Sequence, residues 1–367
     1  MKDSLSSLEL HYLVRELQAL VGARFDKAYQ GMGDRKRDVT LQFQKKDEGR
    51  KLLHVMLPGF LCAVEEKPSY DVTPGPFAVF LRKHVGNARV IGLRQRSFDR
   101  ILEFVLENKD GQFFLILELL PPGNALLLNK DGKVINLLEP QRHGQRVLRG
   151  GVVYEPPPVM FDTKTANVNE VAERLFATTK DSIVKAVASD LGLGGEYAEE
   201  ACARAGIDKL RKDLTKVEVA TVAQAVKDLF ELDLAPVVVD GCAYPFTLGS
   251  KSGGTTFDSF SAALATLAPE TVAVVSKEQP KRQKLKSGDV VKQQEAAHRA
   301  LLTAADENQR KAELIYEHYQ EVSQLLAAIT EARKKRTWQQ VKEEFKDRAV
   351  IDEEKGTVTI DLPETST

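Results

Sequence analysis

At 367 residues the chain is long for one domain and suggests two or three. It is 43% hydrophobic and 29% charged, and 52 Lys+Arg against 53 Asp+Glu leave a formal charge of -1. Net charge therefore announces no nucleic-acid partner, and any basic surface must come from local clustering. Cys62, Cys202 and Cys242 are too far apart for a CxxC pair, a zinc ribbon or a disulfide framework. Free thiols suit a reducing cytosol. Met1-Lys2-Asp3-Ser4 opens directly into an amphipathic segment, which reads as no signal peptide, and no apolar run approaches the ~18 residues of a membrane span. The expectation is a soluble cytosolic protein with no membrane partner.

Ser4 is a good N-cap, and Leu8, Tyr12, Leu13, Val14, Leu17 and Leu20 follow at helical spacing up to Gly22. Strands are expected at 23–30, 38–44, 51–57 and 61–65, with a turn at Gly31-Met32-Gly33-Asp34. Thr73-Pro74-Gly75-Pro76 introduces a helix over 77–85, which carries Leu81-Arg82-Lys83-His84 on its last turns. Further strands are expected at 89–94, 98–107, 112–119, 124–128 and 134–138, with Asn108-Lys109-Asp110-Gly111 as a hairpin turn. This is a β-rich domain closed by helices, spanning 1–155.

Arg142, His143, Arg146 and Arg149 form a second basic stretch, and Pro156-Pro157-Pro158 marks a boundary. Over 165–235 the pattern becomes helical. Leu191-Gly192-Leu193-Gly194-Gly195 lies between two helical segments, the arrangement of a helix-hairpin-helix module or of a plain helical hairpin. Glycines at 192 and 194 allow a tight turn and expose backbone N–H groups at the start of the second helix, where a phosphate can sit. Asp181 and Asp190 flank the turn and work against anion binding. Residues 236–275 return to β character with one short helix and complete the N-terminal region. Lys277 to Lys286 reads as a solvated hinge.

A long helix is expected from about Gly288 to Arg336, within a partial middle domain over 288–362. Leu301, Ala305, Asn308, Ala312, Ile315, Tyr319, Val322, Leu326 and Ile329 alternate steps of four and three, a heptad seam with Asn308 available to set register. Such a seam needs a partner, so the helix either self-associates as a coiled coil or folds back near Arg333. Residues 347–362 suggest a short strand pair.

No Walker loop, GxGxxG, HExxH or GxSxG occurs, and the six histidines are scattered, so no enzyme, metal or cofactor is indicated. What remains is a basic run. Between Arg82 and Arg100 lie six Lys/Arg (Arg82, Lys83, Arg89, Arg94, Arg96, Arg100) with His84 and one acid, Asp99. It reads as an anion footprint or as a solvated helix end followed by an ordinary strand. The alternation from Phe98 to Val105 would place Asp99 and Arg100 on opposite faces near a strand start.

Several stretches in order resemble the NFACT family, which includes bacterial RqcH, eukaryotic NEMF and proteins once called fibronectin-binding. They are Ser7-Leu8-Glu9-Leu10, Leu81-Arg82-Lys83-His84, Gln95 with Phe98-Asp99-Arg100-Ile101, Glu118-Leu119 with Gly123-Asn124-Ala125-Leu126-Leu127-Leu128, and Ala312 to Tyr319 with Trp338 beyond. The resemblance implies an α+β chain: a DNA-glycosylase-like β-sandwich (NFACT-N), a helix-hairpin-helix domain and a coiled-coil middle domain. It implies work in ribosome-associated quality control, on large ribosomal subunits obstructed by peptidyl-tRNA, with tRNA recruited for tailing of the nascent chain without mRNA. The family's Asp-Arg pair falls on Asp99-Arg100. Its C-terminal RNA-binding domain and returning coil have no counterpart in these residues, which leaves independent tailing open. A sandwich with a helix-hairpin-helix also suits a DNA glycosylase or lyase, but Met1-Lys2-Asp3 lacks that class's N-terminal proline and the chain lacks its zinc finger.

Overall fold

The first helix is defined by its cap. In the computed structural model, the Ser6 hydroxyl accepts from the Glu9 amide at 3.2 Å and the Glu9 carboxylate accepts from the Ser6 amide at 2.8 Å. This capping box starts α1 (Ser7–Leu17), so the N-cap is Ser6 rather than Ser4, because only Ser6 has a glutamate three residues on. The structure describes residues 4–70, 74–158, 161–267, 309–310, 318–346, 348–352 and 357–360. It divides into two units, Met1–Glu278 and Gln279–Thr367.

In the first unit nine strands form one antiparallel sheet: β1 (Arg24–Gln30), β2 (Asp38–Lys45), β3 (Gly49–Met56), β4 (Phe60–Val64), β5 (Arg89–Gln95), β6 (Ile101–Asn108), β7 (Gly111–Glu118), β8 (Asn124–Asn129) and β9 (Val134–Leu137). Their order is β4-β3-β2-β1-β5-β6-β7-β8-β9. All nine match strands expected from the sequence, each within three residues of its observed start. The largest displacement is at β6, which starts at Ile101 rather than Phe98.

The sheet folds over between β1 and β5, which pair only at Arg24↔Arg89. Phe43 of β2 thereby stacks on Phe104 of β6, centroids 5.6 Å apart. Val39, Leu41, Leu53 and Val55 from one half share a core with Leu102, Leu106, Leu115 and Leu117 from the other. Burying each of these side chains contributes roughly 1.5–3 kcal/mol against chain entropy.

Helix α2 (Pro76–Val85) packs on β1. The buried Gln30 side chain accepts from the Phe77 and Ala78 amides at 3.1 and 3.2 Å, capping the helix from the sheet. Gly75 makes room for it, since a Cβ there would overlap Gln30 Oε1. On the outer face of β6–β9 a second core of Ile101, Ile116, Leu126, Leu128 and Val134 is covered by Leu148 and Tyr154. Leu148 ends a hairpin, β10 (Gln141–His143) and β11 (Arg146–Leu148).

Helices α3 (Val168–Phe176), α4 (Ile183–Ser189), α5 (Gly195–Arg204) and α6 (Lys216–Asp228) follow. Strands β12 (Val237–Val239), β13 (Cys242–Tyr244) and β14 (Thr255–Thr256) and helix α7 (Phe260–Ala265) complete the unit. Their apolar faces join the same core as the sheet. Among the described residues no helix is long and apolar enough to cross a membrane.

The second unit holds α8 (Tyr319–Lys335), α9 (Trp338–Phe345) and the strand pair β15 (Val350–Asp352) and β16 (Thr357–Thr359). The buried stripe of α8 is Leu325 and Ile329, whereas Tyr319 and Leu326 of the expected heptad seam are 64% and 42% exposed. Val341, Phe345 and Ile351 cover that stripe. Of the two expected outcomes, the described part shows the fold-back: the chain turns at Arg336-Thr337, and the face of α8 that carries Val322, Leu325, Ile329 and Ala332 is covered from within the chain. The seam residues Leu301 to Ile315 and the hinge over 277–286 lie outside the described residues.

Burial holds the His54 imidazole neutral, pushing its pKa from 6.5 down to about 4. Its Nδ1 lies 3.0 Å from Thr40 Oγ1, and its Nε2 has no hydrogen-bond partner among the described residues. The unfolded imidazole protonates near pH 6.5, so between these values the unfolded chain binds more protons. Stability should be fully present above pH 6.5 and should fall as pH drops toward 4, at up to about 1.4 kcal/mol per pH unit. Urea unfolding at a series of pH values measures this, and His54→Gln should reduce the slope, leaving the share of His11, whose pKa burial also lowers to about 4. Equal slopes in both proteins would remove His54 as the cause.

Candidate nucleic-acid interface

Asp99 and Arg100 do not begin a strand. The chain turns between β5 and β6 with Ser97 in the left-handed region (φ 51), and the Arg96 amide donates to the Ile101 carbonyl at 2.9 Å to close the turn. The expected placement on opposite faces of a strand is therefore corrected: both residues sit in the hairpin turn. Gln95 holds it from below, its side-chain amide donating to the Asp99 carbonyl at 2.9 Å and to the Ser7 carbonyl at 2.8 Å. The Asp99 carboxylate accepts from the Arg100 backbone amide at 2.7 Å. It shapes the turn and does not bind the guanidinium. Arg100 reaches the Leu5 carbonyl at 3.5 Å and forms no ion pair among the described residues.

The glycine hairpin comes to the same place. Gly192 and Gly194 have φ of 71 and 79, a region open to glycine, while Leu191 and Leu193 between and beside them are buried. Gly194 is the N-cap of α5 and no side chain caps that end. A Cβ on Gly192 would lie 3.9 Å from Phe98, so the hairpin packs beside the Asp99-Arg100 turn. Asp181 is paired with Lys185 at 2.7 Å, and Asp190 accepts from the Thr178 hydroxyl at 2.6 Å, so both acids are drawn into local contacts.

The result is an open cleft of about 380 Å³ whose walls include Leu5, Ser6, Arg100, Gly192, Gly194 and Tyr197. The start of α1 forms its floor. The carboxylate of Glu9, 1% exposed, accepts from the Tyr197 hydroxyl at 2.7 Å and so ties α1 to α5. Burial, with Glu9 beside it, raises the Tyr197 phenol well above its ordinary pKa, so it stays a donor. Glu196 also lines the cleft, its carboxylate held by the Tyr244 hydroxyl at 2.5 Å.

The other cations of the basic run are elsewhere. Arg94 and Arg96 both grip Glu103, whose side chain is 2% exposed: Arg94 Nε at 2.6 Å, Arg96 Nε at 3.1 Å. Arg96 also lies over the Tyr154 ring at 5.4 Å. Arg82 donates to the Ala28 carbonyl at 2.7 Å and covers Tyr29. His84 stacks on Phe80 at 3.8 Å, and its carbonyl accepts from Asn108. Lys83 is exposed beside it. Asn108 ends β6, about 24 Å from Ile101 beside Arg100 at ~3.4 Å per residue. A single contiguous footprint is therefore corrected to two separate ends of the sheet, because α2 packs across β1 and an extended strand intervenes. Sequence reasoning missed Gln95 and Tyr197 as organisers, since nothing local marks a polar side chain that will be buried by a partner from another segment. Among the described residues no group of three or more His, Cys, Asp or Glu could hold a metal ion.

A folded-over antiparallel sheet with a glycine-turn helix pair bound to its first helix, and an arginine-bearing turn in the cleft between them, is the architecture that positions the site. The profile of the NFACT N-terminal and middle domains matches residues 6–367. The chain belongs to the NFACT family. It is 30% identical over 370 residues to an archaeal Rqc2 homologue, aRqcH, from Methanocaldococcus jannaschii, covering 93% of this chain and 54% of that protein. It is 34% identical over 207 residues to ribosome quality control complex subunit 2 of Saccharomyces cerevisiae, covering 54% of this chain and 17% of that one. The chain thus spans about half the length of the archaeal relative. The fold is shared with the N-terminal part of a fibronectin/fibrinogen-binding protein from Streptococcus suis, at a TM-score of 0.60 and 22% identity, over 72% of this chain and 98% of that one.

Tyr197→Phe removes the donor from a buried carboxylate and should cost about 1–3 kcal/mol. Urea denaturation measures it, and in an Glu9→Gln background the cost should shrink. An unchanged midpoint would show that the Glu9–Tyr197 bond does not hold α5 to α1.

Proposed function

We propose that this chain is a ribosome-associated quality control factor. In this reading it acts in the cytoplasm, binds large ribosomal subunits obstructed by peptidyl-tRNA, and recruits tRNA there for tailing of the nascent chain without mRNA. Membership of the NFACT family and the names of its relatives support the setting. The observation that carries the tRNA role is the meeting of an Arg100 side chain free of ion pairs among the described residues with the Gly192–Gly194 turn in one open cleft. The α4–α5 pair then serves as a helix-hairpin-helix, its N–H groups facing phosphate at the start of α5. The Arg100 fork takes a phosphate or an unpaired base. Asp99 acts by shaping the turn that aims Arg100. The chain's part is to bind and position; the bond-making steps belong to the ribosome.

Arg100→Ala should weaken tRNA binding by roughly 1–3 kcal/mol if the guanidinium reads a base, and by less, with the salt slope lowered by about one, if it meets only phosphate. Asp99→Ala should weaken binding too, although it removes a negative charge near a polyanion. Fluorescence anisotropy with labelled tRNA over a salt series measures both, and sucrose-gradient cosedimentation with large subunits tests the setting. Tighter binding by Asp99→Ala, with Arg100→Ala unchanged, would remove the turn from tRNA recognition.

A further inference from the structure

The end of the sheet opposite Arg100 carries cations that the proposed tRNA cleft does not use. Arg24 of β1 and Arg89 of β5 are direct partners in the antiparallel ladder. The Phe25 amide donates to the Ala88 carbonyl and the Val90 amide to the Ala23 carbonyl, both at 2.8 Å. These bonds make Arg24 and Arg89 a non-hydrogen-bonded pair, the kind in which opposed side chains lie nearest, with Cα atoms about 4.5 Å apart. Like charges so placed are destabilising. Neither arginine forms an ion pair among the described residues; Arg24 donates only to the Asn87 carbonyl at 3.1 Å, and both are exposed.

Two further cations converge on this end. Lys83 sits on the last turn of α2, and Lys109 follows Asn108, whose side chain donates to the His84 carbonyl at 3.0 Å. Both are exposed and without an ion pair among the described residues. The contrast with the near end is sharp: there Arg94 and Arg96 are consumed by Glu103. Glu107, the next strand partner of Arg89, does not pair with it within ion-pair range.

We infer that Arg24, Arg89, Lys83 and Lys109 form a second RNA contact that grips the phosphate backbone, distinct from the Asp99-Arg100 cleft. Two adjacent guanidinium forks suit successive phosphates, and a bound polyanion relieves the repulsion between them. The choice of RNA as the polyanion rests on the proposed function. The two contact points then lie about 24 Å apart along β6, far enough to engage separate segments of one folded RNA or two different RNAs.

The test uses the full chain with two probes, labelled tRNA and purified large ribosomal subunits, each over a salt series. Arg24→Ala/Arg89→Ala should lower the salt slope by about two for one probe, and the probe affected identifies the RNA that meets this surface. Arg24→Lys/Arg89→Lys should keep most of the slope. The double alanine variant should also unfold at higher urea than the wild type, since a like-charged pair is gone. Lys130→Ala/Lys133→Ala, equal in charge removed, should leave the slope unchanged. Slopes unchanged for both probes, or an equal effect from the lysine control, would each overturn the inference. Arg100→Ala measured alongside separates the two readings. An effect at Arg24/Arg89 without one at Arg100 removes the turn and keeps this surface, and the reverse keeps the turn and removes this surface.

Discussion

One buried carboxylate organises the first unit. Glu9 is almost wholly removed from water, yet it caps its own helix through Ser6 and accepts from Tyr197 across the interface with α5. A buried charge without partners is strongly unfavourable, so these bonds are conditions for folding α1 in this position. The rest of α1 extends the same logic. Tyr12 donates to the Leu229 carbonyl at 2.6 Å, Arg15 to Leu232 at 3.1 Å, and Glu16 accepts from the Phe260 and Ser261 amides at the start of α7. One helix thus carries polar bonds to the sheet, the helical region and the closing segment at once. The cleft lies at its N-terminal end, where the β5–β6 turn and the α4–α5 hairpin meet.

The same outer sheet face shows how acids decide the use of basic residues. Glu103 and Glu118 are buried on β6 and β7, and each draws in arginines. Glu103 takes Arg94 and Arg96, and Glu118 takes Arg146, with Tyr154 donating to Glu118 at 2.7 Å. The Tyr154 ring lies under both Arg96 and Arg146, at 5.4 and 5.6 Å. Arginines held this way stabilise the cover over the second core, although the Arg94 side chain stays 62% exposed. Arg100 lies in a turn that faces the start of α1, where its guanidinium donates to the Leu5 carbonyl and forms no ion pair among the described residues.

In the second unit the helix face over Leu325 and Ile329 is closed by twenty-odd residues of its own chain, in the segment from Trp338 to Ile360. A short helix and a two-stranded ribbon are enough to cover two turns of α8. Arg333 lies over the Trp338 ring at 4.9 Å, where the chain reverses. Tyr319 and Leu326, beside that stripe, remain exposed.

Periodicity of apolar residues determined the elements: nine strands, α2, the helix pair about the glycines and the reversal after α8 are all readable from spacing, caps and turn residues. These are short-range properties, set by which face of a segment must leave water and by where glycine alone can turn. The Ser6–Glu9 box belongs with them, three residues apart. The sequence also carried the NFACT resemblance through ordered short motifs. What only the tertiary structure decided is which charges stand together. Arg82 and Arg100 are near in sequence and a strand length apart in space, while Arg100 and Gly192 are far apart in sequence and share a cleft. Arg94 and Arg96 look as available as Arg100 until Glu103 is placed beside them. Coulomb and hydrogen-bond energies depend on separation and burial, and those follow from how the sheet folds over and how α1 binds α5, which no local pattern of residues encodes.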